Sequence, residues 1–356
     1  MMKSATDRDH SSMDLSHKIC VVIPCYQAQD SIIHVVIGIG PEVDTIYCVD
    51  DCSQDNTATV IKDLKTIDPR VRLIQRKENG GVGAAVIDGM QAAIKDGMTV
   101  IVKIDSDGQM DPKLIPAFCK PILDGDADYV KGNRFFFLES VKQMPLIRVL
   151  GNAGLSFLTK LSTGYWESFD PTNGYTALNA QVAATLPFEK IAKRYFFESD
   201  ILFRLGIIRA QVVDLPLECH YGEETSNLSV TNCLLTFPAY HARNFGKRIF
   251  YNYFVRNFSM ASMNLVLGSL LTAAGTIFGS ICWLRSASFG QLATPGTVML
   301  AALPVMIGIQ LLLSFLAHDI TMTPNKPIHR SLSRIQLLTQ NHSRTSKQSK
   351  ETCSVH

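Results

Sequence analysis

Two carboxylates and a carboxamide lie close together in the chain where an apolar run ends. Asp105, Asp107 and Gln109 follow the stretch Val100-Ile101-Val102-Lys103-Ile104. Carboxylate and amide oxygens are the ligands of hard divalent cations such as Mg²⁺ or Mn²⁺, which usually share their coordination sphere with phosphates. An isolated Asp-X-Asp pair is more often a solvated acidic turn. The pair therefore predicts a metal site only if neighbouring elements bring other functional side chains to it.

The elements before this turn alternate between short apolar runs and helical patterns. We predict strands over residues 18–23, where Pro24 ends the run, and over 45–49, 71–75 and 99–104, with helices over 31–39, 56–67 and 83–95. This alternation predicts βαβ units and a mainly parallel sheet. Ligands of such sheets bind at the carboxyl ends of the strands. Three segments fall at those ends and predict one shared site: Pro24-Cys25-Tyr26, Asp50-Asp51 and Asp105-Ser106-Asp107.

Several residues at these strand ends suit a nucleotide. Tyr26 could stack on a nucleobase, and Asp50 or Asp51 could accept hydrogen bonds from base or ribose. The alternative is a packed tyrosine and a helix-capping turn. Asn79 and Gly80 begin a glycine-rich loop before a helix, where backbone can approach a ligand closely. The glycine spacing matches neither a Rossmann fingerprint nor a P-loop.

Composition excludes some classes of protein. The 356 residues carry a formal net charge of +2, which disfavours a nucleic-acid-binding protein. The nine cysteines are scattered without paired metal-ligand spacing, so we expect reduced thiols and neither disulfides nor a zinc site. Residues 1–17 lack the apolar core of a signal peptide, so we expect the N-terminal part to stay in the cytoplasm.

Two long uncharged runs near the C-terminus predict transmembrane helices. Residues 257–284 contain no Asp, Glu, Lys or Arg, and a second such run extends from 286 to 318. Each is long enough to cross a bilayer, although two buried core helices are the alternative. Basic residues flank the outer ends of the two runs, with only Arg285 between them. The positive-inside rule therefore predicts a multi-pass protein of the cytoplasmic membrane with both termini in the cytoplasm.

Four segments, in this order, resemble the motifs of family 2 glycosyltransferases with the GT-A fold. They are Val21-Val22-Ile23-Pro24-Cys25-Tyr26, Val49-Asp50-Asp51-Cys52-Ser53-Gln54-Asp55-Asn56-Thr57, Asn79-Gly80-Gly81 and Asp105-Ser106-Asp107-Gly108-Gln109. Two membrane helices after such a domain resemble the branch of dolichyl-phosphate mannose synthase and the bacterial polyprenyl-phosphate glycosyltransferases. The sequence departs from the family at Gln27 and Ala28, where Asn-Glu is usual, and at Cys52, where glycine is common.

The resemblance implies an inverting hexosyltransferase (EC 2.4) with a Rossmann-like, mainly parallel α/β domain. Its partners would be a UDP- or GDP-sugar donor, a polyprenyl phosphate acceptor and the membrane. By resemblance, Asp105, Asp107 and Gln109 would bind Mg²⁺ or Mn²⁺, and Asp105 would also reach the ribose. The nucleotide would contact Pro24, Tyr26, Asp50, Asp51, Asn79 and Gly80. An ionised acceptor phosphate can attack directly, so the reaction needs positioning and charge screening more than a general base.

Acceptor residues are expected further along the chain. Arg134 resembles the family arginine that contacts the acceptor phosphate, and its forked guanidinium suits that role; a solvated basic turn is the alternative. Asp170 resembles a residue near the sugar, in a segment where a glycine is also expected. Glu198 or Asp200 would act as general base on a sugar hydroxyl or would orient the donor sugar, unless they only cap a helix.

The remaining segments complete a predicted domain plan. It comprises a polar tail (1–17), the GT-A domain (18–232), juxtamembrane interfacial helices (233–258), two transmembrane helices (259–320) and a disordered cytosolic tail (321–356). Apolar clusters in residues 135–158 predict a loop and helix that either contact the membrane or lie in the core. A polysaccharide or glycolipid synthase and a catalytically silent scaffold are the alternative functions. The oligomeric state stays open, and a homo-oligomer is allowed.

Overall fold

The computed structural model describes residues 17–137, 146–217, 230–290 and 292–333. Its centre is a sheet of seven strands in the order β3-β2-β1-β4-β6-β5-β7. Every neighbouring pair is parallel except those made by β6, which runs antiparallel to β4 and β5. The strands are β1 (Ile19–Cys25), β2 (Thr45–Asp50), β3 (Val71–Gln75), β4 (Val100–Lys103), β5 (Tyr129–Asn133), β6 (Thr176–Asn179) and β7 (Val212–Pro216). The predicted mainly parallel α/β sheet is therefore confirmed.

Helices cover both faces of this sheet. One face packs against α1 (Ile32–Gly38), α2 (Thr57–Ile67) and α4 (Ile115–Leu123), and the other against α3 (Val82–Lys95), α6 (Ala180–Ala183) and α7 (Phe197–Ile208). Strands β1, β2 and β4 are buried along their whole length. Their continuous apolar sequences follow from this position, because a strand covered on both faces needs no polar alternation.

The predicted end of the first strand was wrong. β1 continues through Pro24 to Cys25, and Pro24 lies opposite Val49 of β2. On the other side of β1, pairing with β4 extends only to Val22 and Lys103. The missing N–H of Pro24 therefore falls beyond the end of β4 and costs no ladder hydrogen bond. The other predicted strands and helices between residues 31 and 104 agree with the structure to within two residues at each end.

Two amphipathic helices flank the domain with their polar sides turned inward. In α5 (Leu146–Thr163) the buried side chains include Ser156, Thr159 and Ser162, whereas Leu150 and Phe157 are exposed. In α8 (Val230–Phe250), His241, Asn244 and Arg248 are buried, and three aromatic side chains are exposed: Tyr240, Phe245 and Phe250. This inversion is the opposite of a helix on a water-exposed surface. Of the apolar cluster predicted in residues 135–158, residues 138–145 lie outside the described part.

Two long helices follow a short π-helical turn at Tyr251–Val255. They are α9 (Met260–Phe289) and α10 (Pro295–Thr321), with mean hydropathies of 1.8 and 2.2 over their most apolar windows. Both are long and apolar enough to cross a membrane, and only 11% of each window is buried within the protein. Gly268 and Gly308 let the two backbones approach, because a β-carbon on either would come within 3 Å of the opposite backbone.

After α10 the chain returns to the sheet. The carboxylate of Asp128, which precedes β5 and is fully buried, accepts hydrogen bonds from the backbone N–H groups of Ile328 (2.8 Å) and His329 (3.0 Å). His329 Nδ1 and the backbone N–H of Gln211 contact the same carboxylate at 2.6 and 2.8 Å. Residues 321–333 therefore do not belong to a disordered tail as expected, because this segment satisfies a buried carboxylate. Residues 334–356 lie outside the described part.

Candidate active site

The predicted site residues gather at the carboxyl edge of the sheet. Tyr26 follows β1, Asp50 ends β2, Asp105 follows β4 by two residues and Arg134 follows β5 directly. Because β6 is antiparallel, its first residue Thr176 lies beside Lys103 at the same edge. The loop that precedes β6 therefore joins the strand ends, and this loop contains the predicted acceptor-side segment.

Asp105 is part of a charged triad that also contains Lys103 and Glu198. The Lys103 ammonium lies 2.8 Å from Asp105 Oδ1 and 3.2 Å from Glu198 Oε1. Burial favours a lower pKa for Lys103, but attraction from the two carboxylates outweighs it and holds the pKa above its ordinary value. Burial raises the pKa of Glu198, and Lys103 opposes this effect. Lys103 was not among the predicted site residues, although a lysine that ends an otherwise apolar buried strand is a usable sequence signal.

Gly174 allows a close approach to this triad. A β-carbon on Gly174 would overlap the carboxylate of Asp105 and the ammonium of Lys103, and would press on Met110. The segment 168–175 thus reaches the carboxylate turn. Only hydrogen fits at this position without moving a charged group.

Arg134 and Asp170 form a two-pronged ion pair. Arg134 Nε and Nη2 lie 2.7 and 2.8 Å from the two oxygens of Asp170, and the Arg134 backbone N–H donates to the same carboxylate at 3.1 Å. Burial favours the neutral acid, but Arg134 outweighs it and lowers the pKa of Asp170 below its ordinary value. Asp170 has a φ of +54°, a left-handed conformation that Asp tolerates better than most residues. The predicted phosphate ligand and the predicted sugar ligand are therefore bonded to each other.

A second ion pair, between the buried Lys131 and Asp214, holds the backbone of the Asp170 turn. Lys131 Nζ donates to the backbone carbonyls of Phe169 and Asp170 and lies 3.3 Å from the carboxylate of Asp214. Asp214 also accepts hydrogen bonds from the backbone N–H of Phe169 at 2.8 Å and from Ser168 Oγ at 2.9 Å. Burial lowers the pKa of Lys131. Lys131 and Asp214 carry no local sequence signal as site residues, because each lies in a strand and finds its partner only through the sheet.

Asp51 occupies the amide groups of the glycine-rich loop. Its carboxylate accepts from the backbone N–H groups of Gly80 (2.9 Å) and Gly81 (2.7 Å), and Asn79 Nδ2 donates to its backbone carbonyl at 3.2 Å. Arg76 Nε lies 3.2 Å from the same carboxylate. The anion that these amides face is therefore the protein's own carboxylate. Asp51, Asn79 and Gly80 hold the loop together beside the strand ends.

Asp50 and Tyr26 lie at the same edge with different surroundings. Asp50 is buried, and its carboxylate accepts from the backbone N–H of Ser53 at 3.1 Å. The ring of Tyr26 is half exposed, so its face is open to a ligand. Pro24 is buried within β1.

Two departures from the family pattern fall at left-handed backbone positions. Gln27 has a φ of +52° and Cys52 a φ of +60°. Asn and Gly are the residues that adopt this conformation at least cost. The left-handed backbone explains why the family usually has Asn at the first position and Gly at the second. This chain keeps the left-handed conformation with Gln27 and Cys52, which adopt it at a higher cost.

Asp107 and Gln109 are exposed and lie in a tight turn after β4. Asp107 Oδ1 accepts the backbone N–H of Gln109 at 3.0 Å, and Gly108 has a φ of +77°. Within the described residues, no three His, Cys, Asp or Glu side chains cluster closely enough to hold a metal. With Asp105, the turn presents two carboxylates and one amide oxygen, a donor set that suits Mg²⁺ or Mn²⁺ if a ligand supplies the remaining oxygens.

Glu198 and Asp200 point in different directions from α7. Residues two apart on a helix are about 200° apart around its axis. Glu198 therefore reaches Lys103, whereas Asp200 accepts from the backbone N–H of Ala192 (3.0 Å) and from Asn244 Nδ2 (3.1 Å) and pairs with Arg204. Asp200 is buried among these donors and connects α7 with α8. The structure brings Glu198, but not Asp200, into the charged triad.

The known proteins that this chain resembles in sequence include several glycosyltransferases. The family model described as Glycosyl transferase family 2 matches residues 20–186. UDP-N-acetylglucosamine–dolichyl-phosphate N-acetylglucosaminyltransferase of Methanococcus voltae is 31% identical over 236 residues, which cover 63% of this chain and 93% of that protein. Polyprenol monophosphomannose synthase of Mycolicibacterium smegmatis is 26% identical over 59% of this chain and 80% of its own length. Undecaprenyl-phosphate mannosyltransferase of Micrococcus luteus is 27% identical over 56% of this chain and 82% of its own length.

Solved structures also resemble the chain. Glucosyl-3-phosphoglycerate synthase from Mycobacterium tuberculosis, crystallised with Mn²⁺, UDP and glucosyl-3-phosphoglycerate, aligns with a TM-score of 0.48 and 20% identity. The alignment covers 65% of this chain and 80% of that one.

Proposed function

Because this chain belongs to glycosyl transferase family 2, we propose that it transfers a sugar from a nucleotide-sugar donor to a polyprenyl phosphate at the cytoplasmic face of a membrane. The names of three relatives, which specify dolichyl-phosphate, polyprenol and undecaprenyl-phosphate products or acceptors, support a lipid phosphate acceptor. The observation that carries the proposal is the turn at residues 170–174. Its Asp170 holds Arg134 at one end, and its Gly174 touches Asp105 at the other.

The donor end of the site would lie between β1, β2 and β4. The exposed ring of Tyr26 offers a stacking surface for the base, and Asp50 lies beside it as a hydrogen-bond acceptor. Asp51 supports the nucleotide site indirectly, because its oxygens already bind the amides of Gly80 and Gly81. The donor nucleotide is UDP or GDP by family expectation.

Asp105, Asp107 and Gln109 would hold a Mg²⁺ or Mn²⁺ ion together with the donor diphosphate. A divalent cation there would neutralise the charge that develops on the departing nucleoside diphosphate. Lys103 adds a fixed positive charge beside Asp105 and keeps that carboxylate oriented. Its burial makes the ammonium effective, because water screens it little.

Arg134 would receive the acceptor phosphate. Its guanidinium binds Asp170 with both prongs, so a phosphate would have to share or replace this partner. An oxygen of the ionised phosphate would attack the anomeric carbon while the bond from that carbon to the diphosphate oxygen breaks. Attack from the opposite face inverts the anomeric configuration. No proton needs to be removed from the nucleophile, which leaves Glu198 to position Lys103 and the donor sugar.

The membrane placement rests on α5, α8, α9 and α10. Helices α9 and α10 would span the bilayer, with both ends of the pair on the cytoplasmic side. The exposed apolar side chains Leu150, Phe157 and Phe250 would lie in the interface, since α5 and α8 turn their polar side chains inward. An amphipathic helix with this inverted burial is stable beside lipid and costly in water.

Transfer of label tests the proposal. Membranes containing the full-length chain are incubated with radiolabelled UDP- or GDP-sugars, Mg²⁺ or Mn²⁺ and polyprenyl phosphate, and the lipid is extracted. We expect labelled lipid that is lost with a chelator and falls at least about a hundredfold in Asp107→Ala. Asp63→Ala removes an exposed carboxylate from α2 and serves as the matched control.

The acceptor is varied in the same assay. Label transferred to polyprenyl phosphate but not to polyprenol supports the phosphate acceptor. Label that appears only on a soluble or lipid-linked sugar would instead favour the hydroxyl-acceptor alternative. Complete inactivity with every donor and acceptor, in a folded wild-type protein, would favour a silent scaffold.

A further inference from the structure

A second charged cavity lies away from the carboxyl edge of the sheet. It has a volume of about 50 Å³ and is enclosed by the ends of α5, α7, α8 and α10 and by the turn before α9. Its lining includes Arg209, Arg248, Arg256, Asn252, His318 and Asp319. Arg209 stands just before β7, at the amino end of the parallel strands, whereas the candidate active site lies at their carboxyl ends. The cavity has room for more than one water-sized group.

One ion pair in the cavity wall is already complete. Arg248 Nη1 and Nη2 lie 2.7 and 2.9 Å from the carboxylate of Asp319, and both side chains are almost fully buried. Tyr253 Oη and Trp166 Nε1 donate to the same carboxylate at 2.7 and 2.9 Å. Asp319 therefore has its full set of donors, and among the described residues it forms an ion pair with Arg248 and with no other arginine.

Arg209 and Arg256 leave excess positive charge beside the cavity. In the part of the chain that the structure describes, neither side chain pairs with a carboxylate. Arg209 Nη2 donates to the Met322 backbone carbonyl at 3.1 Å, and the Arg256 guanidinium lies 5.2 Å from the centre of the Tyr251 ring. Two guanidinium groups without an anionic partner make the cavity attractive to an anion.

Two further features of the cavity wall bear on which ligand it would bind: the backbone conformation of Arg209 and a buried amide oxygen of Asn252. Arg209 has a φ of +61° at the end of α7, where glycine is the usual residue. Asn252 Oδ1 is buried and accepts no hydrogen bond from any described residue. This oxygen needs a donor, so a ligand with both an anionic group and a hydroxyl would satisfy the cavity better than a bare anion.

The location indicates where such a ligand would come from. The cavity lies where α9 begins and α10 ends. The exposed residues Phe258 and Met260 are sequence neighbours of its lining residue Ser259. If the two helices span the bilayer, as proposed above, this position is at headgroup depth.

We propose that this cavity binds the phosphate of an anionic phospholipid whose headgroup carries hydroxyl groups. Arg209 and Arg256 bind the phosphate, and a headgroup hydroxyl donates to Asn252 Oδ1. The lipid fastens the catalytic domain to the base of the membrane helices at a point separate from the acceptor site. This inference rests on the proposed membrane placement but not on sugar transfer.

Lipid binding to the full-length protein in detergent tests the inference without an activity assay. Native mass spectrometry counts bound phosphatidylglycerol, with phosphatidylcholine as the zwitterionic comparison of zero net charge and inorganic phosphate as competitor. We expect one saturable phosphatidylglycerol, and about tenfold weaker binding in Arg256→Gln and in Arg209→Gln. Arg256 is exposed, so its replacement should not impair folding. Lys247→Gln, an equal charge change at an exposed position of α8 outside the cavity, should bind as the wild type does.

Three results would overturn the inference. Equal occupancy by phosphatidylcholine would show that charge is not recognised. An equal loss in Lys247→Gln would indicate diffuse attraction to the basic helix and no site. Displacement of the lipid by inorganic phosphate at similar concentration would assign the cavity to a free anion. Retained lipid binding in a protein that transfers no sugar would separate this inference from the proposed function.

Discussion

At the scale of residues, the candidate site depends on contacts that leave little room for change. Lys103 and Gly174 are the clearest cases, because a buried ammonium and a missing side chain together set the position of Asp105. Asp170 depends in the same way on Arg134. Each of these residues is positioned by a partner from a distant part of the sequence.

Gly174→Ala should reduce transfer without unfolding the protein. The added methyl group would overlap Asp105 and Lys103, so we expect at least a tenfold loss of kcat, about 1.4 kcal/mol in the activation barrier. Gly154→Ala on α5 adds the same methyl group into open space and should keep full activity. Steady-state kinetics on both variants makes the comparison, and equal activity would contradict the close approach at Gly174.

The left-handed backbone at Cys52 predicts a stability difference between two small substitutions. Both Cys52→Gly and Cys52→Ala remove the thiol, but only glycine relieves the conformation at φ +60°. We expect the glycine variant to be more stable than the alanine variant by about 1 kcal/mol. Thermal unfolding of the two purified variants measures this difference. An alanine variant of equal or higher stability would show that the backbone is not strained there.

At the scale of elements, α5 and α8 pack through polar groups. Ser162 Oγ lies 2.8 Å from His241 Nδ1, and Asn244 Nδ2 donates to Asp200 of α7. Helices that present apolar side chains outward and polar ones inward need such internal partners. The contact between these helices is therefore sensitive to the protonation of its one histidine.

His241 predicts a loss of stability in acid. Burial lowers its pKa from 6.5 to about 4, so the unfolded chain binds a proton in a range where the folded protein does not. The folded state should thus lose stability as pH falls from about 6.5 to 4, by up to about 3 kcal/mol. Thermal unfolding across this range should show a shallower pH dependence in His241→Gln. His34→Gln, which removes an exposed histidine of α1, should keep the wild-type slope.

At the scale of the whole molecule, the catalytic domain is attached to the membrane helices at two points. Asp319 at the end of α10 binds Arg248, Tyr253 and Trp166, and the segment after α10 binds Asp128 at the amino edge of the sheet. Both attachments bury a carboxylate that needs donors from distant segments. The helix pair and the domain should therefore unfold together.

Deleting residues 327–356 should destabilise the whole protein. Asp128 would lose three of its four donor contacts, which leaves a buried carboxylate with only the backbone N–H of Gln211. We expect a loss of about 3 kcal/mol, seen as a lower unfolding temperature. Deleting only 334–356 keeps all four contacts and is the matched control. Asp128→Asn should cost less in the shortened chain than in the full one, and equal costs would contradict this coupling.

The sequence by itself determined the alternation of strands and helices, the carboxylate turn and the two long apolar helices, because period, apolar length and motif order are local properties. Its glycine spacing also excluded a Rossmann dinucleotide fingerprint and a P-loop. Only the tertiary structure decided that Glu198 joins Lys103 while Asp200 connects two helices, that Arg134 is bonded to Asp170, and that Asp51 fills its own glycine loop. These outcomes depend on which distant segments the sheet brings together. The inverted faces of α5 and α8 were equally undecidable from composition, since an amphipathic pattern does not say which side faces the protein.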